Sequence, residues 1–187
     1  MHPRYQEIVD HLDRHRAELR AAVDSVPAER RATSPGDGQW SVLGVLEHLA
    51  IVEGRVGTLI EKNLSDARVA GLSPEVDEGP LLASLNIRMF SDRTRKIKAS
   101  DAAQPKSGRE IDELWQALDD SLNHIRRLLA SADGMRLSDV MMPHPVFGPL
   151  DLYTWFAFIG SHEGRHAAQI REIGATLAGS PTSTARV

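Results

Sequence analysis

No cysteine occurs in the 187 residues, so disulfides, thiolate nucleophiles and Cys-ligated zinc are excluded, and any metal site must be built from histidine and carboxylate. The basic excess that binding to nucleic acid or an anionic membrane usually needs is missing too: Lys plus Arg come to 22, Asp plus Glu to 26, and the formal net charge is -4. No run approaches the roughly 20 apolar residues of a membrane span. The first residues, Met1 to Glu7, are too polar for the core of a signal peptide. No nucleic-acid partner, no membrane partner and a cytoplasmic location are therefore expected. What is present is a chain 41% apolar and 26% charged, the composition of one globular domain, together with eight histidines.

Apolar spacing of helical period, punctuated by Gly and Pro, divides the chain into helices rather than strands. Ile8, Leu12, Leu19 and Val23 stripe a first helix from about Pro3 to Val26, with Pro3 at an early position where its missing N–H is harmless. Ser41 is the expected N-cap of a second helix, whose stripe of Val42, Val45, Leu46, Leu49, Val52, Val56 and Leu59 fades near Asn63. Residues 65–104 read as a loop with one shorter helix around Leu81, Leu82, Leu85, Met89 and Phe90. The basic run Arg93, Arg95, Lys96, Lys98 reads as the solvated end of that helix, favourable near a C-terminal dipole. Ser107-Gly108-Arg109-Glu110 is a capping box opening a third long helix, striped by Leu114, Leu118, Leu122, Ile125 and Leu129 and ending near Asp133-Gly134. Beyond a connection studded with Pro143, Pro145 and Gly148, Pro149 is expected to open the last helix, which runs to about Leu177. Four amphipathic helices, none able to bury its stripe alone, predict an all-α fold. The expected architecture is a four-helix bundle with an additional short helix and long crossover connections, one domain over 1–178 with a flexible tail over 179–187.

The last helix carries the chemistry. Trp155, Ile159, His162, His166, Ile170 and Ile173 share one stripe, so two histidines occupy core positions. One turn apart, their Cβ atoms are roughly 5 to 6 Å from each other, close enough for both rings to ligate one ion. The alternative is a pair of buried neutral imidazoles, each of which then needs a partner, because an unsatisfied buried polar group costs about 1 to 3 kcal/mol. His162-Glu163-Gly164-Arg165-His166 also matches the H-E-x-x-H pattern of zinc proteases. Against a protease, Gln169 and Glu172 stand where a metzincin continues with Gly and His, and no strand pattern offers an edge for a peptide.

Glu163 lies about 100° around the helix from His162, beside the stripe, and reads as a solvated or ligand-supporting carboxylate as readily as a catalytic one. Arg165 is the other weak catalytic candidate, able to hold an anionic substrate or a thiol carboxylate if it faces a cleft. A surface arginine on the far side of the helix is its plainer reading. For a third ligand, His2 sits in a fraying terminus, His144 between two prolines in a loop, His11 off its stripe, and His124 on the flank of the third helix. His15 and His48 remain, and spacing does not decide between them.

Trp40-Ser41-Val42-Leu43-Gly44-Val45-Leu46-Glu47-His48-Leu49, the loop His144-Pro145-Val146-Phe147-Gly148-Pro149-Leu150, and His162-Glu163-Gly164-Arg165-His166-Ala167-Ala168-Gln169-Ile170 together resemble the DinB-like (DinB/YfiT) family of small bacterial metalloproteins. The likeness spans the helix order from about residue 3 to 177. It implies a four-helix bundle with one divalent metal held by His48, His162 and His166; His15, left open by spacing, stays as a reserve ligand. Zinc is expected first, with nickel or iron as alternatives that imidazole also suits. The family name refers to DNA-damage induction and does not imply DNA binding.

Three neutral imidazoles would leave the ion its full charge and an open fourth position, the arrangement of a catalytic site rather than a closed structural one. Such an ion can activate water or the thiolate of a low-molecular-weight thiol, which must be an external cosubstrate in a chain without cysteine. The resembled family includes thiol-dependent S-transferases, a thiol-dependent maleylpyruvate isomerase, and proteins described only as metal-dependent hydrolases. The expectation is a metal-dependent transferase or hydrolase acting on a small electrophilic substrate. Its rival is a non-catalytic metal-binding or stress-response bundle. Trp40, Tyr153 and Trp155 are candidate pocket walls, Gln169 a candidate to orient a ligand, and a homodimer through exposed apolar edges a further expectation.

Overall fold

The four apolar stripes become four long helices in a computed structural model, which describes residues 1–106 and 108–179. Helix α1 (Pro3–Asp24) has Pro3 in its first turn, and the His2 side chain accepts the Arg4 N–H at 3.3 Å. Helix α2 (Val42–Ala70) is capped by Ser41, whose Oγ accepts the Gly44 N–H at 3.1 Å. It runs past Asn63 because Leu64 is still buried and Lys62 pairs with Asp66 one turn on, at 2.6 Å. Gly71, at φ +90°, ends it. Two single turns, α3 (Leu81–Ser84) and α4 (Arg88–Ser91), replace the one short helix expected, since Leu85 is extended between them. Helix α5 (Ile111–Ser131) starts with Glu110 at the cap position and no side-chain cap bond. Ser107, the first residue of the expected capping box, lies outside the described residues.

Pro149 does not open the last helix. It sits in a hairpin of β1 (Met141–His144) and β2 (Gly148–Asp151), antiparallel with Met142 opposite Leu150 and Pro143 opposite Pro149. A two-stranded ribbon has no inner strand, so the missing proline donors are tolerated. Helix α6 (Leu152–Gly179) follows directly, and Asp151 Oδ1 accepts the Thr154 N–H at 2.7 Å. The expected tail from 180 onward lies outside the described residues, and Gly179 still belongs to the helix. Among the described residues no helix is long and apolar enough to cross a membrane.

Helix α1 packs along α6 and α2 along α5, closing an all-α bundle whose core is split in two. One apolar cluster holds Leu12, Val56, Leu122 and Ile159, and the other Leu19, Leu49, Leu118 and Ala167. Between them, one residue from each of α1, α2 and α6 is charged and buried: Arg16, Glu53 and Glu163. Arg16 Nε and Nη2 donate to Glu163 Oε1 at 2.8 and 2.6 Å, and Nη2 also reaches Glu53 Oε2 at 3.0 Å. Ser121 Oγ donates to the same Glu53 oxygen at 2.8 Å. Burial first, and Glu163 second, push the Glu53 carboxyl well above the usual carboxylate range, against the opposing pull of Arg16. A buried layer of this kind favours one helix register over others, because a slip would strand charge in an apolar layer.

Candidate metal centre

His48 reaches the site from the rim of the α2 stripe, and its ring is 4.8 Å from that of Trp40. Val45 and Leu49 are fully buried beside it, so the buried face of α2 is wide enough to take His48 to 5% exposure. From α6, the rings of His162 and His166 come within 5.3 and 4.9 Å of His48 and meet each other edge to face at 4.5 Å. One nitrogen from each of the three lies within 4.8 Å of the other two, a group that could hold a metal ion.

Their hydrogen bonds fit a metal. His48 Nδ1 donates to the Ala103 carbonyl at 2.8 Å, since a carbonyl only accepts, and this leaves a lone pair on Nε2. His166 Nδ1 faces Gln169 Oε1 at 2.8 Å, which likewise leaves Nε2 a lone pair. His162 and His166 bring their Nε2 atoms to 3.1 Å, and His162 Nδ1 is buried without a hydrogen-bond partner. Outer oxygens fixing the ring while the inner nitrogen stays free are the supporting arrangement of metal-bound histidines. All three rings are held neutral. Burial is the main cause for each, lowering His48, pushing His166 down to about 3, and taking His162 well below its ordinary value with His166 and His48 adding to the effect.

The three histidines line one cavity of about 820 Å³. One wall is aromatic: Phe90, Phe147 and Phe158 pack edge to face, and Phe158 stacks on the His162 ring at 5.0 Å. His144 belongs to the same wall, 5.1 Å from Phe158 and 4.8 Å from Phe147. Its Nδ1 accepts the N–H groups of Val146 and Phe147 at 3.1 and 3.3 Å. Burial lowers it to about 4, so it is neutral and carries its proton on Nε2. Sequence reasoning set His144 aside as a loop residue; the hairpin that brings it to the cavity left a signal in Gly148, which turns the chain at φ +78°.

Other candidates fall where spacing alone did not place them. The basic run after α4 is no helix end: α4 stops at Ser91, and Arg93, Lys96 and Lys98 line the cavity. Arg165 is not a surface arginine. It is 9% exposed, lines the cavity, and donates to the backbone carbonyls of Asp92 and, at 2.8 Å, Arg95, fastening that stretch across the mouth. Glu163 is neither solvated nor on the cavity lining; it is buried in the Arg16 layer. Trp40 and Gln169 line the cavity. Trp155 is core, its Nε1–H given to Met142 O at 3.2 Å, and Tyr153 is core, its hydroxyl donating to Glu75 at 2.7 Å.

The reserve ligand His15 stays on α1, with Nδ1 2.9 Å from Glu18 Oε2, and is not in the three-histidine group. His11, which spacing put off its stripe, is 2% exposed. Its Nε2 faces Ala157 O at 3.0 Å and Ser161 Oγ at 3.1 Å.

Fold and site together define a helical bundle whose second and last long helices bring three histidines to one cavity. The DinB superfamily model matches residues 11–170, and the chain belongs to that superfamily. It is also 29% identical over 149 residues to the uncharacterized protein YuaE of Bacillus subtilis (strain 168), covering 78% of this chain and 83% of that one. No solved structure gives a significant match.

Proposed function

We propose that this chain is a metal-dependent enzyme in which His48, His162 and His166 hold a divalent ion, zinc before nickel or iron, and act on a small electrophilic substrate. The observation that carries the reading is the pairing of three neutral imidazoles, two of them locked by outer oxygens, with a cavity of about 820 Å³ open to a small molecule. The ion supplies Lewis-acid activation of water or of a low-molecular-weight thiol. With no cysteine in the chain, sulfur for a transfer would arrive with that cosubstrate. Ala103 and Gln169 keep the His48 and His166 rings turned so that Nε2 faces inward. Phe158 fixes the plane of His162, and the aromatic wall keeps water from that side of a bound molecule. His144, with its proton on Nε2, offers a neutral donor to a substrate oxygen.

The test is turnover of a chromogenic aryl-halide or aryl-ester electrophile by zinc-loaded wild type and by His48→Ala, each with and without added thiol. Turnover that depends on thiol and falls at least about 100-fold in His48→Ala supports transfer. The same loss without any thiol requirement supports hydrolysis. Turnover by wild type and His48→Ala at one rate, or none by either, overturns the catalytic reading in favour of a metal that only fixes the bundle.

A further inference from the structure

We propose that the small molecule taken by this cavity is an anion, carrying a carboxylate or phosphate group that Lys96 and Lys98 meet at the mouth. Resting on the reading of the cavity as a substrate site, the inference deepens it by naming a substrate class. The chain as a whole is acidic at -4, yet the cavity is lined by four cationic side chains and one carboxylate. That carboxylate, Glu172, is already committed: Arg93 Nε donates to its Oε1 at 2.8 Å. Arg165 is bonded to backbone carbonyls alone, which orient its guanidinium without cancelling its charge. Lys96 and Lys98 are exposed.

The histidines on the lining are neutral or cationic groups by their chemistry and supply no negative charge. Asp92 and Glu172 lie near the two arginines and offset part of their charge, but four cations against one lining carboxylate still leave the mouth, where Lys96 and Lys98 stand, net positive. A cleft of one sign with low-dielectric aromatic walls focuses its field and raises the local concentration of oppositely charged small molecules. Lys96 and Lys98, two residues apart on the same lining, suit a doubly charged group, while Phe90, Phe147 and Phe158 suit an apolar portion behind it. The ligand class is an anion with an apolar body.

The experiment titrates phthalate, phenyl phosphate and the neutral phthalic diamide into the metal-free full-length chain and into the zinc-loaded chain, by calorimetry at low ionic strength. Lys96→Ala/Lys98→Ala is the paired variant, since both side chains are exposed and its melting temperature should match wild type. Expected are binding of a dianion but not of the diamide, weakening with added salt, and a loss of about tenfold or more in the double variant. Zinc affinity should stay within about threefold, because neither lysine touches the histidines. Comparing phthalate with phenyl phosphate separates a carboxylate from a phosphate ligand. Diamide binding as tight as dianion binding, dianion binding unchanged in the double variant, or no dianion binding at all overturns the inference. A chain that refuses zinc yet binds the dianion through these lysines overturns the Lewis-acid reading and keeps this one; a chain that takes zinc and ignores both dianions does the reverse.

Discussion

Two histidine pairs in this molecule share a spacing and a ring contact and differ in what their nitrogens meet. His11 and His15 on α1, like His162 and His166 on α6, are one turn apart with rings edge to face at 4.5 Å. On α1 the inward nitrogens are used up: His11 Nε2 on Ala157 O and Ser161 Oγ, His15 Nδ1 on Glu18. On α6 the nitrogens converge with His48, and His162 Nδ1 has no partner at all. A one-turn pair is thus not a metal site by itself; a third ligand from another helix and the absence of competing acceptors make it a candidate. Both pairs depend on α6, which turns 162 and 166 to the cavity while its glycines at 160 and 164 sit beneath the α1 imidazoles. A Cβ built at Gly160 would lie 2.7 Å from His11 Cδ2, and one at Gly164 2.6 Å from His15 Nδ1.

The largest test of that contrast is metal content. Wild type and His11→Gln/His15→Gln should each bind about one zinc per chain by elemental analysis after dialysis, whereas His162→Ala/His166→Ala should lose affinity by on the order of 1000-fold or more. Equal, negligible metal in all three would remove the site.

Acid sensitivity comes next, and in the α1 pair it belongs to His11. Burial first, then His15, push His11 down to about 4 from an ordinary 6.5. Between these values the unfolded chain binds a proton that the folded chain refuses. Folding stability therefore falls as pH drops through that window and levels off below it, at about 1.4 kcal/mol per pH unit for one such group. Urea unfolding at several pH values should show His11→Gln flattening the decline by up to about 3 kcal/mol. An unchanged slope would mean that His11 is not held neutral.

Smallest is the glycine contact. Gly160→Ala presses on both the ring and the backbone carbonyl of His11 and should destabilise by about 1 to 3 kcal/mol. Gly164→Ala meets only the half-buried His15 ring, which can swing away, so the helix-propensity gain of about 1 kcal/mol should leave stability near or above wild type. Thermal melts that rank the two the other way would show that His15, not His11, is the fixed side.

Periodicity made the long helices legible. Ser41 as a cap, the α5 stripe and the α6 stripe with two histidines in it were all readable, because local spacing and capping chemistry set them. Boundaries failed where a tertiary contact outvoted a local signal. Pro149 looked like a helix opener but pairs with Pro143 in a hairpin, and Asn63 looked like an end until Leu64 found a buried place. His11 was misplaced for the same reason: an aliphatic stripe on α1 says nothing about glycines on α6 that make room for an imidazole.

By itself, then, the sequence determined a cysteine-free, all-α chain with a histidine pair on one helical face, since composition and 3.6-residue periodicity are properties of neighbouring residues. Only the tertiary structure brought His48 to that pair and turned Glu163 into the Arg16 layer. It also drew the basic run after α4 across the cavity mouth. Each of these depends on which faces of distant helices meet, and burial, desolvation and uncancelled charge exist only once they have met.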